Sequence, residues 1–221
     1  MSWADTPIHF VDFEGNASSG ILEFGVATLR GGEIVATRTR LCRPKGRVTA
    51  ADTAVHGLTE AAVAGAPPFA EEWEYFAGLR ETGPLGAHFA SAENHLLKLS
   101  WPYARQSPDF ARPGRTSADW GPWIDTGRLY PQLFPQVAEA KLGQLVLLAG
   151  QQAALDALAA RHCPADRRTY HAALYDALAA ALLLRALLGR TELAAATVPW
   201  LLQMSTLDPA RRRALQQGDL L

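Results

Sequence analysis

Ile8-His9-Phe10-Val11-Asp12-Phe13-Glu14-Gly15 places two carboxylates on a stretch that otherwise reads as a buried β-strand. Asp12 and Glu14 are two residues apart, so on an extended strand their side chains share a face. Acids are depleted in strands, and burying a charge without a partner is costly. Two acids side by side repel each other unless a cation sits between them. A divalent metal site at the end of a central strand resolves this conflict, and it points to an enzyme.

Around that strand the pattern builds an α/β domain. Residues 8–11 form the first strand, 21–29 the second, and a third runs from 33 to about 40 after the hairpin signal Gly31-Gly32. His56-Gly57-Leu58-Thr59 ends the next loop, with Thr59 as a helix N-cap. Phe69, Trp73 and Phe76 then fall on one face of a helix that Gly83-Pro84 breaks. Residues 85–88 read as a fourth strand and 92–99 as a short helix. Further helices are expected over 141–149, 151–162 and 171–188. This order gives a mixed sheet flanked by helices.

Residues 100–123 break the rhythm. Trp101, Tyr103, Phe110, Trp120 and Trp123 lie there beside Arg105, Arg112 and Arg115. A loop this long in a compact domain is usually functional or disordered. Its rings either stack unpaired bases or pack the loop onto the domain. Beyond residue 189 we expect a C-terminal helical extension over 190–221, punctuated by Pro199 and Pro209, which could dock a partner.

A chain of 221 residues fits one domain, with or without appendages. With 21 Lys and Arg against 22 Asp and Glu, it does not coat long nucleic acid through charge alone. A local grip on a short strand end remains open. Cys42 and Cys163 form no C-x-x-C pair, which argues against structural zinc and fits a reducing cytoplasm. No targeting segment is visible, and the apolar run 177–188 is too short for a bilayer and carries Arg185. We expect a cytoplasmic protein with no membrane association.

Two further motifs join Asp12 and Glu14. His171 and Asp176 open the last long helix in a His-x4-Asp spacing, and Glu93 starts the helix that follows the fourth strand. In this order the pieces resemble the DEDD-type 3′→5′ exonucleases of the ribonuclease-H-like fold, in the histidine-containing DEDDh group. The family's Asp-x-Glu matches Asp12 and Glu14, and its His-x4-Asp matches His171 and Asp176. Its His-Gly-Ile/Leu-Thr stretch matches His56 to Thr59, and its Asp-Thr step resembles Asp125-Thr126. The resemblance covers roughly residues 6–189, with 100–123 as an inserted loop. The second motif departs from the family. Its usual Gly-His-Asn-x-x-Phe-Asp is here Ala87-His88-Phe89-Ala90-Ser91-Ala92-Glu93, so Glu93 stands where Asp is expected. Mg²⁺ demands near-ideal geometry at about 2.1 Å, so a stem one methylene longer has to be offset by its backbone.

The resemblance implies a ribonuclease-H-like mixed sheet of about five strands and a phosphodiester hydrolase using two Mg²⁺ or Mn²⁺ ions. Asp12, Glu14, Glu93 and Asp176 would hold the metals, and His171 would act as general base. Phe13, His56, Leu58 and Arg168 are the candidates for contacts to the strand. Arg38, Arg40, Arg43, Lys45, Arg47 and Arg167 either guide phosphate or lie on a solvated face. His88 and His95 read as structural or solvated. The implied substrate is the 3′ end of single-stranded DNA or RNA, and a polymerase or another replication or repair protein is a possible partner. The choice of sugar and the oligomeric state stay open. The eroded second motif also allows a binding module that has lost turnover, or one that acts only when docked to a partner.

Overall fold

The computed structural model describes residues 1–137 and 141–206. A five-stranded mixed sheet forms its centre. The opening meander is β1 (Ile8–Asn16), β2 (Gly20–Arg30) and β3 (Glu33–Leu41), paired antiparallel. Gly31 and Gly32 both have positive φ, as a two-residue hairpin turn requires. After α1 (Ala50–His56), α2 (Glu60–Val63) and α3 (Trp73–Thr82) comes β4 (Leu85–Ala87), which pairs parallel with β1. Next come α4 (Ser91–Ser100), a ribbon of β5 (Ser107–Pro108) and β6 (Thr116–Ser117), and β7 (Ile124–Asp125), parallel to β4. The sheet order is therefore β3-β2-β1-β4-β7. The remaining elements are α5 (Thr126–Leu133), α6 (Leu142–Leu148), α7 (Gln152–His162), α8 (Ala173–Leu188) and α9 (Val198–Met204).

The first strand runs five residues beyond the expected end, through both acids, because β2 pairs with it as far as Asn16. Asn16 closes the turn by accepting from the Ser18 and Ser19 amides at 2.8 and 3.0 Å. Thr59 caps α2 as anticipated, its hydroxyl accepting from the Ala62 amide. The last long helix begins at Ala173 rather than at His171, because His171 adopts φ +63°.

Strand parity decides what each face carries. Ile8 and Phe10 of β1 join Ala27 and Leu29 of β2 in a core packed against α8. Val11 and Phe13 join Phe24, Phe69 and Phe76 in a second core under α3 and α4. Asp12 and Glu14 continue the first set, toward the N-terminal turn of α8. On the same face the β2 residues shrink from Leu29 through Ala27 to Gly25 as that turn approaches. A Cβ on Gly25 would lie 2.2–2.3 Å from the Ala173 and Leu174 backbone. Gly25→Ala should therefore destabilise the chain by about 1–3 kcal/mol, since backbone rather than a flexible side chain has to move. Thermal unfolding measures this, and an unchanged Tm would refute the close approach.

The segment 100–123 packs onto the domain. Trp120 is fully buried, and Phe110 and Trp123 nearly so. The Trp101 ring lies 4.6 Å from Phe69 and 5.9 Å from Trp120, and Trp73 crosses both tryptophans edge-on. These rings fill core, which removes them as a platform for bases; Tyr103 alone among the five stands in solvent. Arg105 pairs with Glu74 and Glu81, and Arg112 with Asp109. Burial of Val198, Leu201 and Leu202 seats α9 against the main core, and the Val198 amide bonds to the Met1 carbonyl. Residues 207–221 of the expected extension lie outside the described residues. No helix among the described residues is long and apolar enough to cross a membrane.

Candidate active site

Three segments bring four acids to the carboxyl end of β1. The strand supplies Asp12 and Glu14, α4 supplies Glu93 from its first turn, and α8 supplies Asp176 from its own. Glu14, Glu93 and Asp176 are nearly closed off from solvent, at 7–8 % exposure. His171 is exposed on the loop leading into α8, and its backbone amide donates to Asp176 Oδ2 at 2.9 Å. One ligand atom each from Glu14, His171 and Asp176 lie within 4.8 Å of one another. That spacing suits a shared cation.

The electrostatics describe a crowded, undercompensated cluster. Burial, then the charges of Glu93, Asp176, Glu14 and Glu23, holds the Asp12 carboxyl well above the usual range. Burial lifts Glu14 to about 8, helped by Asp176 and Glu23 and opposed by Arg167. Burial likewise lifts Glu93 to about 8, against the Phe13 backbone amide that favours its ionised form. For Asp176 burial raises the value to about 7, against the His171 amide. Glu93 Oε2 and Asp176 Oδ1 are buried with no hydrogen-bond partner in the protein. Unpaired buried carboxylate oxygens are costly, and a hard divalent cation is the ligand that offsets them. A set of four carboxylates and one imidazole fits Mg²⁺ or Mn²⁺ rather than a soft metal.

Glu23 and Arg167 are also part of the site. Glu23 faces Glu14 across the β1–β2 pair and is 2 % exposed. Arg167 grips it with two nitrogens, Nε reaching Oε1 at 3.2 Å and Nη2 lying against Oε2. The signal for Glu23 was present as the one acid in the apolar run 21–29. Arg167, expected to guide phosphate or to lie on a solvated face, is spent on this internal pair.

The candidates for strand contacts separate. Phe13 lies on the opposite face from the acids and packs 5.5 and 5.7 Å from the Phe69 and Phe76 rings, so it is core and offers no surface to a substrate. His56 and Leu58 line a cavity of about 640 Å³ together with Glu23, Arg167 and His171. Both are buried; His56 Nδ1 accepts from the Leu58 amide at 3.1 Å, and burial lowers its pKa. Arg168 turns to the carbonyls of Ala160 and Cys163 and closes the end of α7. Arg38 and Arg40 converge on buried Glu72, which offsets one of their two charges. His88 bonds to the Thr126 hydroxyl at 3.0 Å, and burial lowers its pKa to about 4. Asp125 accepts the Phe89 and Ala90 amides and pairs with Arg128, so it shapes the turn before α4.

This sheet order, with acids at the end of its central strand and His171 just ahead of the long helix α8, is an α/β fold that matches those of ribonuclease-H-like exonucleases. Solved structures similar to this chain include Exonuclease X in complex with 5′ overhanging duplex DNA, at 21% identity and a TM-score of 0.64 over 88% of this chain and 99% of that one. The nuclease domain of 3′hExo, a DEDDh family member bound to rAMP, is similar at 18% identity and a TM-score of 0.59, covering 85% of this chain and 94% of that one. E. coli Exonuclease I in complex with a dT13 oligonucleotide aligns at 10% identity and a TM-score of 0.55, over 85% of this chain and 42% of that one. No protein-family model matches the chain, and no curated protein matches it.

Proposed function

We propose that the chain is a metal-dependent 3′→5′ exonuclease that hydrolyses the terminal phosphodiester of single-stranded nucleic acid and releases nucleoside monophosphates. One observation carries the reading: Asp12 feels the charges of Glu14, Glu93 and Asp176, these last three are buried, two of their oxygens are unpartnered, and the exposed His171 stands beside Glu14 and Asp176. Asp12, Glu14, Glu93 and Asp176 would hold two Mg²⁺ or Mn²⁺ ions, which neutralise phosphate charge and lower the pKa of bound water. His171 is free to take a proton from the attacking water. Its ring lies beside Glu14 and Asp176. The nucleic-acid complexes of the similar structures support a nucleic-acid substrate, and the site reads as accepting DNA or RNA ends. A polymerase or repair protein is a proposed partner. The free, buried Cys42 and Cys163 fit a cytoplasmic setting.

The test uses 5′-labelled single-stranded DNA and RNA with Mg²⁺, Mn²⁺ or EDTA. The expected result is a ladder shortening from the 3′ end in either metal and none in EDTA. His171→Ala should slow it by about 10²–10⁴-fold. Binding without hydrolysis in either metal would instead favour a module that has lost turnover.

A further inference from the structure

One guanidinium joins three segments around the site. Besides gripping Glu23 on β2, Arg167 Nη1 donates to the His56 carbonyl at 2.7 Å, and Nη2 donates to the His171 carbonyl at 3.1 Å. The Arg167 side chain is 12 % exposed. Glu23 Oε2 also accepts the Ala173 amide at 3.2 Å, the first of α8. His171 sits between these anchors at φ +63°, a conformation that a residue with a Cβ keeps only when its surroundings hold it. Both of its backbone polar groups are held: the N–H by Asp176, the C=O by Arg167. With the backbone fixed at both ends, the Cα–Cβ bond of His171 leaves the loop in a set direction before any substrate arrives.

We infer that Arg167, anchored on Glu23, is the positioning residue for His171: it locks the left-handed backbone that aims the imidazole at the carboxylate cluster. This rests on the reading of His171 as general base. A guanidinium is needed because the task takes several donors in a fixed plane, shared among a carboxylate and two carbonyls. A lysine presents one charged point and lacks the fork. Nothing in this role asks Arg167 to touch the strand, so its loss should fall on kcat and leave KM in place.

The experiment is a double-mutant cycle in single-turnover and steady-state hydrolysis of a labelled oligonucleotide by the full chain with Mn²⁺. Arg167→Ala and Arg167→Lys should each lower kcat, the alanine by roughly 10–100-fold, with KM little changed. In a His171→Ala background the same Arg167→Ala change should cost less than about twofold, because the residue it positions is already gone. Millimolar guanidinium should restore part of the Arg167→Ala rate and none of the His171→Ala rate. If Arg167→Ala does not fold, Arg167→Lys and Glu23→Gln carry the cycle, since each keeps one partner of the pair in place. Multiplicative losses in the double variant, or a raised KM with kcat intact, would overturn the role of Arg167 alone. A wild-type rate in His171→Ala would overturn the general-base reading itself.

Discussion

Asp12→Asn should lose turnover and gain stability in the same protein. The carboxylate lies beside Glu14 on one strand and feels Glu93 and Asp176 from two helices, so it sits at the electrostatic centre of the cluster. Losing metal-borne charge stabilisation worth several kcal/mol corresponds to about a 10³-fold fall in kcat or more, at 1.36 kcal/mol per decade. Without metal the same substitution relieves repulsion among buried acids. In EDTA the Tm should therefore rise, by about 2–4 °C if roughly 1 kcal/mol is recovered. Asparagine keeps the shape, so the two effects are read on one fold. A variant that still hydrolyses at the wild-type rate would end the two-metal reading, and a lowered Tm in EDTA would refute the account of the cluster.

The second large effect is a pH dependence that metal should erase. Glu14 and Glu93 titrate near 8 and Asp176 near 7 in the folded chain, against about 4 for carboxyls in an unfolded one. Between those values the folded state binds more protons than the unfolded state, so stability falls as pH rises. Buried His9 and His88, lowered to about 4, act in the opposite sense, but only below the unfolded imidazole value of about 6.5. The window from about pH 6.5 to 8 therefore isolates the carboxylates. In EDTA the chain should lose on the order of 2 kcal/mol across it, or about 4–8 °C in Tm. Saturating Mg²⁺ or Mn²⁺ should flatten that slope, because a bound cation compensates the charges that protons otherwise remove. Melting curves at three pH values, with and without metal, make the measurement. A metal-free Tm that is level or rising over this window would contradict the burial of the cluster.

How much of this was legible in the chain depended on the range of the interaction. The Asp12/Glu14 pair is a local property, since strand parity alone puts both acids on one face. The mixed sheet followed from the order of strand and helix signals, and the N-cap at Thr59 from one side chain and its next turn. What stayed hidden crosses between elements. Glu23 meets Glu14 only through the β1–β2 register, and its partner Arg167 is 144 residues away. Arg38 and Arg40 read as a free basic face because Glu72, which pairs with both, belongs to a different element. Phe13 lies between two site acids in sequence, yet the same parity that joins those acids turns it into the opposite core. The tryptophans at 101, 120 and 123 carry no local sign of whether they face solvent or a second core. Here packing under α3 decided.

The C-terminal end of the described residues bears on the acids from a distance. Ser205, just past α9, accepts the Asp125 amide at 2.8 Å. Asp125 in turn holds the Phe89 and Ala90 amides at 2.9 and 3.0 Å, where α4 begins and Glu93 follows one turn later. Two successive steps thus link the segment after residue 189 to the helix turn that carries Glu93. Trimming the protein back to residue 189 would remove the far end of that relay, so the turn that starts α4 should loosen in the shortened chain.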